Sequence, residues 1–168
     1  MVANIILIGF MGVGKGRTAR ELARQTGRYT IDTDDLIESA TSLKIKKIFE
    51  QQGEPAFRKL EQQLSLWLQN SVSNTVVSTG GGFFMVDNIK QLGTVIHLHS
   101  SLGGILQAIM SHTNAEKKIR KRPLLQNLEN AKTLYNTRLP LYREAASHSI
   151  NIEGKDIEDV AREIVALL

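Results

Sequence analysis

Near its start the chain reads Ile5-Ile-Leu-Ile-Gly-Phe-Met-Gly-Val-Gly-Lys15, an apolar run followed at once by a glycine-rich loop. The aliphatic residues predict a buried strand, and the residues after Lys15 are good helix formers. The loop between them carries most of the phosphate-binding pattern G-x-x-x-x-G-K-S/T. In that pattern the backbone N–H groups, a helix N-terminus and the lysine all face an anion. We therefore predict a nucleotide site after the first strand.

The last position of this pattern is occupied by an unexpected residue. Residue 16 is Gly16, so the loop lacks the Ser or Thr hydroxyl that such loops place on Mg²⁺. Thr18 lies two positions further on, on roughly the opposite side of the helix, and should not replace that hydroxyl. The sequence therefore predicts phosphate binding with one protein ligand fewer for the metal.

Strand patterns and helix patterns alternate along the rest of the chain. The predicted strands are Ile5–Ile8, Tyr29–Ile31, Thr75–Thr79, Thr94–Leu98 and Ser149–Ile152. The predicted helices are Lys15–Thr26, Asp34–Ser42, Ile45–Gln52, Glu54–Asn70, a segment ending near His112, Asn127–Ala146 and Asp156–Leu168. This alternation predicts an α/β fold with a parallel sheet and right-handed crossovers, whose ligands bind at the carboxyl ends of the strands. We expect Trp67 and Leu168 to lie in the core.

Composition restricts the class of protein. With 168 residues, 42% of them hydrophobic, the chain suits one compact domain, residues 1–168. The net charge of +4 suits anionic ligands and does not require nucleic acid. Cysteine is absent, which excludes disulfides and thiolate metal sites, and the histidines show no metal-ligand spacing. The apolar run is too short to cross a bilayer, so we expect a cytoplasmic protein that binds no membrane.

Two carboxylates follow the second predicted strand. Asp32 and Asp34 stand beside the expected nucleotide loop, at the edge of the sheet where ligands bind. The first can hold waters of Mg²⁺, and the second can accept a hydrogen bond from a substrate hydroxyl and orient it for attack. The alternative is that these residues only cap the following helix.

An arginine, two aromatic residues and a glycine run suggest a pocket for an organic anion. Arg58 and Glu61 are three residues apart on one helix face, which is also the spacing of an ordinary surface ion pair. Phe49 and Phe57 nearby suggest instead a pocket wall where Arg58 can bind a carboxylate. The run Gly80-Gly81-Gly82 either forms a plain loop or lets the backbone approach a ligand closely. Arg138 is a second candidate for binding a substrate anion.

A strongly basic run, Lys117-Lys-Ile-Arg-Lys-Arg122, lies between two predicted helices. A solvated charged surface or a nucleic-acid patch is the ordinary interpretation of such a run. Its position before Pro123 suits a lid over a phosphoryl-transfer site, from which Arg122 could screen the charge of the transition state. We predict a lid over residues of about 112–124.

Along its whole length the chain resembles the shikimate kinases. The matching segments, besides the glycine-rich loop, are Asp32-Thr-Asp34-Asp-Leu-Ile-Glu38, Ile48-Phe-Glu-x-x-Gly53-Glu-x-x-Phe57-Arg58-x-x-Glu61, Ser78-Thr-Gly-Gly-Gly82, Arg122-Pro-Leu-Leu125 and Arg138-x-Pro-Leu-Tyr142. The resemblance implies a three-layer P-loop kinase fold with a five-stranded parallel sheet in the order 2-3-1-4-5. It also implies transfer of the γ-phosphoryl of ATP to the 3-hydroxyl of shikimate, with Mg²⁺ as cofactor. A substrate-binding segment of about 33–62 and a monomer are expected as well.

The resemblance also implies a role for each matching residue. Lys15, Asp34 and Arg122 are the catalytic candidates, and Asp32 would reach the metal through water. The residues implied in ATP binding are Gly12, Val13, Gly14, Lys15, Gly16, Arg17 and Arg122. Those implied in shikimate binding are Asp34, Arg58, Gly80, Gly81, Gly82, Arg138, Phe49 and Phe57.

Three alternatives stand beside the active shikimate kinase. Because Gly16 replaces the loop hydroxyl, the chain could be a catalytically impaired relative that still binds shikimate or nucleotide. Another P-loop small-molecule kinase, for gluconate or a nucleoside monophosphate, would also have a loop and a lid. A basic RNA-binding domain fits the charge, but aromatic residues make up only 5% of the chain and no stacking motif is present.

Overall fold

The computed structural model describes residues 3–111 and 127–168, so the predicted lid and Arg122 lie outside the described residues. The strands are β1 (Asn4–Ile8), β2 (Tyr29–Asp32), β3 (Thr75–Ser78), β4 (Gly93–His99) and β5 (His148–Asn151). The helices are α1 (Lys15–Thr26), α2 (Thr33–Thr41), α3 (Ile45–Ser71), α4 (Leu102–Met110), α5 (Leu128–Ala145) and α6 (Ile157–Val165). Two short 3₁₀ turns, Phe83–Met85 and Ile89–Gln91, lie between β3 and β4 and were not predicted.

The five strands form one sheet in the order β2-β3-β1-β4-β5, and every neighbouring pair is parallel. The predicted α/β fold and its strand order are therefore confirmed. The register places Leu7 of β1 beside Ser78 of β3, and Ser78 in turn beside Asp32 of β2. The carboxyl ends of β1, β2 and β3 thus meet at one edge of the sheet.

The core surrounds the central strand. All five residues of β1 are buried, because neighbouring strands flank it and helices cover the sheet. The main apolar cluster includes Leu22 of α1, Tyr142 of α5 and Ile164 of α6. Because β1 is buried and paired on both sides, the loop that follows it begins at a fixed position in the fold.

A second, smaller core stabilises the segment after β2. It consists of Ile37 from α2 with Ile48 and Phe57 from α3. Inside α3 the backbone at Gly53 is not helical, with φ 78° and ψ 173°, so the helix is interrupted where the sequence predicted a stop. The interruption and the small core together fix the direction of the second half of α3, which carries Arg58 and Glu61.

Two predicted core residues are exposed. Trp67 is 47% exposed, because the buried residue on this turn of α3 is Leu68, and adjacent helical residues point about 100° apart. Leu168 is 51% exposed, since α6 ends at Val165 and its apolar face does not continue to the last residue. Both predictions were wrong.

Among the helices of residues 3–111 and 127–168, none combines the length and the apolar character that a membrane crossing requires.

Candidate active site

The phosphate loop, residues 9–15, connects β1 to α1. Gly12 and Gly14 have φ values of 85° and 102°, which side-chain-bearing residues rarely adopt. A Cβ at Gly12 would also lie only 2.7 Å from Ile109 Cδ1. Gly14 is the residue before α1, so the N-terminus of that helix faces the loop. The loop therefore has the turn and the helix end that phosphate binding requires.

Lys15 lies within this loop and is only 8% exposed. Its ammonium donates hydrogen bonds to the carbonyl oxygens of Gly9, at 2.7 Å, and Phe10, at 3.1 Å. These contacts place a positive charge inside the loop, where an anion would meet it.

The space beside Gly16 is open enough for a larger residue. A Cβ at this position would lie 3.7 Å from Arg20 Nη1 and 3.8 Å from Ser78 Oγ, which are ordinary contact distances. Thr18 does not supply the missing hydroxyl, because its Oγ1 donates to the carbonyl of Gly14 within α1 at 3.2 Å. The glycine is therefore not required by packing.

Asp32 caps α2, as the alternative interpretation predicted. Its Oδ1 accepts a hydrogen bond from the backbone N–H of Asp34 at 2.9 Å. Its Oδ2 accepts from the Ser78 hydroxyl at 2.7 Å. Capping and metal binding are compatible, since both bonds hold this carboxylate at the end of β2 beside the phosphate loop.

Asp34 carries an unsatisfied buried oxygen. Its Oδ1 has no hydrogen-bond partner among residues 3–111 and 127–168. Burial, then the negative charges of Asp32 and Glu61, raise the pKa of Asp34 to about 7. A Cβ at Gly80 would lie 2.5 Å from that oxygen, so only glycine fits there without displacing the carboxyl. The group can thus accept or release a proton near neutral pH.

Arg58 lies between two glutamates. Its Nη1 donates to Glu61 at 2.5 Å, and its Nη2 donates to Glu54 at 2.6 Å. Glu61 is 1% exposed and its Oε1 has no partner among the described residues, so this is not an ordinary surface pair. Burial raises the pKa of Glu61, although the Arg58 ion pair opposes that shift. A Cβ at Gly82 would clash with the Arg58 guanidinium.

The glycine turn, Gly80–Gly82, is anchored from α5. Arg138 Nη1 donates to the Gly81 carbonyl at 3.1 Å, and the Tyr142 hydroxyl donates to the same oxygen. The Tyr142 ring stacks on His97 of β4 at a centroid distance of 5.2 Å. No role was predicted for Tyr142, although it ends the Arg138-x-Pro-Leu-Tyr142 segment. Its place in that segment was the sequence signal that could have pointed to a role for Tyr142.

The two predicted wall residues differ in exposure. Phe57 is 4% exposed and belongs to the small core, while Phe49 is 37% exposed and packs on it with ring centroids 4.8 Å apart. Arg58 lies over the Phe57 ring, at 5.5 Å. Phe57 therefore supports Phe49 and Arg58 from behind.

The glycine turn brings the predicted groups to one place. Asp34 lies against Gly80, Arg138 against Gly81 and Arg58 against Gly82. A Cβ at Gly81 would also lie 3.7 Å from the backbone nitrogen of Met11, which belongs to the phosphate loop. A cavity of about 480 Å³ opens beside Arg58, lined by Glu54, Pro55, Arg58, Glu61, Gln62, Met85 and Val86.

Comparison with known proteins identifies the family of this chain. The sequence model of the family described as Shikimate kinase matches residues 11–168. The chain belongs to the shikimate kinase family. A shikimate kinase of Helicobacter hepaticus is 41% identical over 162 residues, which cover 96% of this chain and 93% of that protein. One from Thermus thermophilus is 40% identical, with 98% and 89% covered. The resemblance inferred from the sequence motifs is confirmed.

A solved structure agrees with these sequence relatives. The shikimate kinase of Acinetobacter baumannii, determined in complex with shikimate, superposes with a TM-score of 0.84 at 34% identity. The match covers 99% of this chain and 93% of that one. The P-loop kinase fold expected for a shikimate kinase is therefore confirmed.

Proposed function

We propose that this chain transfers the γ-phosphoryl group of ATP to the 3-hydroxyl of shikimate, a step toward aromatic amino acids. The observation that carries the proposal is the glycine turn. A Cβ built at Gly81 would lie 3.7 Å from the backbone nitrogen of Met11 in the phosphate loop and 3.9 Å from Arg138 Nη1. Asp34 and Arg58 lie against the neighbouring Gly80 and Gly82. A phosphate cradle and a set of groups suited to a hydroxylated acid thus share one opening. Family membership and the shikimate complex of the Acinetobacter baumannii relative support this choice of substrate.

The phosphate loop would bind the nucleotide. Its contacts to ATP are Gly12, Val13, Gly14, Lys15, Gly16 and Arg17, largely through backbone N–H groups at the start of α1. Lys15 would exchange its two carbonyl acceptors for the β- and γ-phosphate oxygens, because a phosphate offers the ammonium a charged partner. Arg122, from the predicted lid, would add a second cation to the same phosphates.

The side chains around the glycine turn would bind shikimate. Arg58 and Arg138 supply guanidinium N–H groups for the carboxylate, and Asp34 accepts hydrogen bonds from the ring hydroxyls. Gly80, Gly81 and Gly82 let the ring approach the backbone, and Phe49 offers an exposed apolar face supported by Phe57. Glu54 and Glu61 hold Arg58 in place before substrate arrives. The carboxylate of shikimate would then compete with these two glutamates for the guanidinium N–H groups.

Asp34 would act as the general base. As the 3-hydroxyl oxygen bonds to the γ-phosphorus, the bond from that phosphorus to the leaving ADP oxygen breaks. The hydroxyl proton passes to Asp34, whose pKa of about 7 suits a base near neutral pH. Lys15 stabilises the charge that develops on the transferred group and on ADP.

Mg²⁺ fits the donor set between the phosphate loop and β3. Oxygen donors are what this ion prefers. Ser78 Oγ lies 3.8 Å from the place of a Cβ at Gly16, and its hydroxyl is hydrogen-bonded to the Asp32 carboxylate. In residues 3–111 and 127–168 no group of three or more His, Cys, Asp or Glu side chains is placed to hold a metal ion by itself. Mg²⁺ usually keeps several waters and binds through few protein groups plus phosphates, and it would neutralise phosphate charge.

A catalytically impaired relative is the second candidate, and Gly16 is the observation that favours it. The active enzyme is the better conclusion, because Lys15, Asp34, Arg58 and Arg138 keep positions that serve the chemistry. We also propose that the protein is a cytoplasmic monomer. Light scattering coupled to size-exclusion chromatography would test the oligomeric state.

The deciding experiment measures ADP release with and without shikimate at several Mg²⁺ concentrations. We expect release that depends on shikimate, with the product phosphorylated on O3 as judged by ³¹P and ¹H NMR. Measurable shikimate binding with no ADP release at any Mg²⁺ concentration would select the impaired relative. Faster release with gluconate or a nucleoside monophosphate than with shikimate would contradict the choice of substrate.

A further inference from the structure

Position 16 has a specific polar neighbour. Among the described residues, and apart from the helix's own backbone and the adjoining residues, two atoms lie within 4 Å of a Cβ built at Gly16. They are Arg20 Nη1, at 3.7 Å, and Ser78 Oγ, at 3.8 Å. Only the second is an oxygen. A hydroxyl at residue 16 would be one bond further out, so Ser78 Oγ borders the space that this hydroxyl would occupy.

Ser78 is held rigidly at this place by the sheet. It is the last residue of β3, paired with Leu7 of β1 on one side and Asp32 of β2 on the other. Its side chain is buried, and its hydroxyl donates to Asp32 Oδ2 at 2.7 Å. Because that bond uses the only hydroxyl proton, the lone pairs of Ser78 Oγ remain available to accept a hydrogen bond.

We propose that Ser78 compensates for the missing loop hydroxyl by holding, together with Asp32, a water molecule that takes its place on Mg²⁺. The proposal rests on the metal-dependent nucleotide binding described under Proposed function. A metal-bound water donates both its protons, and the Ser78 hydroxyl and the Asp32 carboxylate are two adjacent acceptors for them. Mg²⁺ tolerates this exchange because it usually retains several waters.

A purely structural role for Ser78 makes a different prediction. If its hydroxyl served only to orient Asp32 as the cap of α2, removing it would affect stability and α2 regardless of which residue stands at position 16. In our proposal the effect on metal affinity depends on residue 16, since a serine there would bind the metal directly and make the held water unnecessary. The coupling between the two positions is therefore the diagnostic quantity.

The test is a double-mutant cycle on ADP binding, which requires neither shikimate nor turnover. Calorimetry gives the ADP dissociation constant in excess EDTA and at saturating Mg²⁺, and the ratio of the two constants measures the metal contribution. We expect Ser78→Ala to reduce this ratio by about tenfold in the natural chain, as loss of an outer-shell partner does. In a Gly16→Ser background the same change should reduce it much less.

Ser65→Ala is the matched control, because Ser65 is also buried and its hydroxyl also donates to a side-chain oxygen, that of Asn88 at 2.6 Å. It should leave the ratio unchanged. Ser78→Cys, which replaces the hydroxyl by a slightly larger thiol that hydrogen-bonds only weakly, gives a second variant if the alanine form unfolds, and thermal melts identify a folding defect. Equal losses in both backgrounds, or no loss on removing the hydroxyl, would overturn the proposal. Since ADP binding is measured alone, absence of shikimate turnover would count against the proposed function and leave this inference standing.

Discussion

The two sides of the proposed active site, the phosphate loop and the groups around the glycine turn, are built from different parts of the chain. On the proposed nucleotide side, the phosphate loop presents backbone groups at the start of α1, and Lys15 is the side chain to which we assign a role there. On the substrate side, side chains from α2, α3 and α5 meet at the glycine turn through ion pairs and buried carboxyls. A backbone site is specified by glycine positions within one loop, whereas a side-chain site depends on packing between distant segments. The two sides should therefore fail differently when they are mutated.

Removing the lysine tests the nucleotide side with the largest expected effect. Lys15→Met should lower kcat/KM for ATP by about 10³-fold, because the cation that meets the phosphates is lost. Shikimate binding, measured by calorimetry without nucleotide, should stay unchanged. Lys155→Met is the matched control, since Lys155 forms a surface ion pair with Glu163 far along the chain, and it should leave both values unaltered. A loss of shikimate binding in the Lys15 variant would mean that the two sides are not separate.

Replacing Asp34, the proposed general base, should give the next largest effect, on the proposed substrate side. Asp34→Asn should lower kcat by about 10²- to 10³-fold, with a small change in KM for ATP. Asp35→Asn, an exposed neighbour on the same helix, is the control.

The natural enzyme should also show a pH dependence that reports this group. Since the base must be ionised, kcat/KM for shikimate should decrease at acidic pH and rise to a plateau at alkaline pH. The midpoint should lie near pH 7, the pKa of Asp34. The acidic limb should disappear from the residual rate of the Asp34→Asn variant. A limb that persists unchanged in the variant would assign the titration to another group.

The same carboxyl links function to stability. Its folded pKa lies above the ordinary value of 3.8, so its contribution to stability is fully present below pH 3.8 and is lost as pH rises through about 7. Asp34→Asn should therefore raise the free energy of unfolding at pH 8 by up to about 4 kcal/mol, since the pKa of Asp34 rises from 3.8 to about 7, and by much less near pH 4. Urea unfolding at the two pH values checks this, and an equal change at both would contradict it.

A steric change at the glycine turn should have a smaller and more selective effect. The backbone of Gly82 is right-handed, with φ −113°, so alanine is allowed there except for its clash with the Arg58 guanidinium. Because a flexible side-chain end can move, the fold should survive while Arg58 is displaced from Glu61. We expect Gly82→Ala to raise KM for shikimate about tenfold, which corresponds to about 1.4 kcal/mol, and to leave KM for ATP unchanged.

Gly103→Ala in α4 is the control for this change, because within residues 3–111 and 127–168 the nearest atom to its Cβ would be Ser101 Oγ, at 3.9 Å. Unaltered shikimate kinetics in the Gly82 variant would show that the clash is relieved without moving Arg58.

The contrast between the two sides also explains what the sequence could predict. The alternation of strands and helices predicted a parallel α/β sheet, the family resemblance implied its strand order, and the glycine spacing predicted the phosphate loop. The sequence could not predict three contacts of the site: Glu54 with Arg58, Tyr142 with Gly81, and Ser78 with the space at Gly16. These contacts depend on the helix interruption at Gly53 and on the register of the strands, which the sequence does not reveal. The exposure of Trp67 was missed for a related reason, since residue type alone does not say which face of a long helix meets the core.

Restoring the loop hydroxyl is the mildest change and tests how far the nucleotide side tolerates its departure from the pattern. A Cβ at Gly16 has ordinary contacts, so Gly16→Ser should fold normally. We expect the Mg²⁺ concentration for half-maximal rate to fall several-fold, because one more oxygen binds the ion directly. Gly16→Ala is the matched control: it adds the same Cβ and a gain in helix propensity at least as large as that of serine, without a hydroxyl. If alanine lowers the Mg²⁺ requirement as much as serine does, the gain comes from the helix and not from the metal.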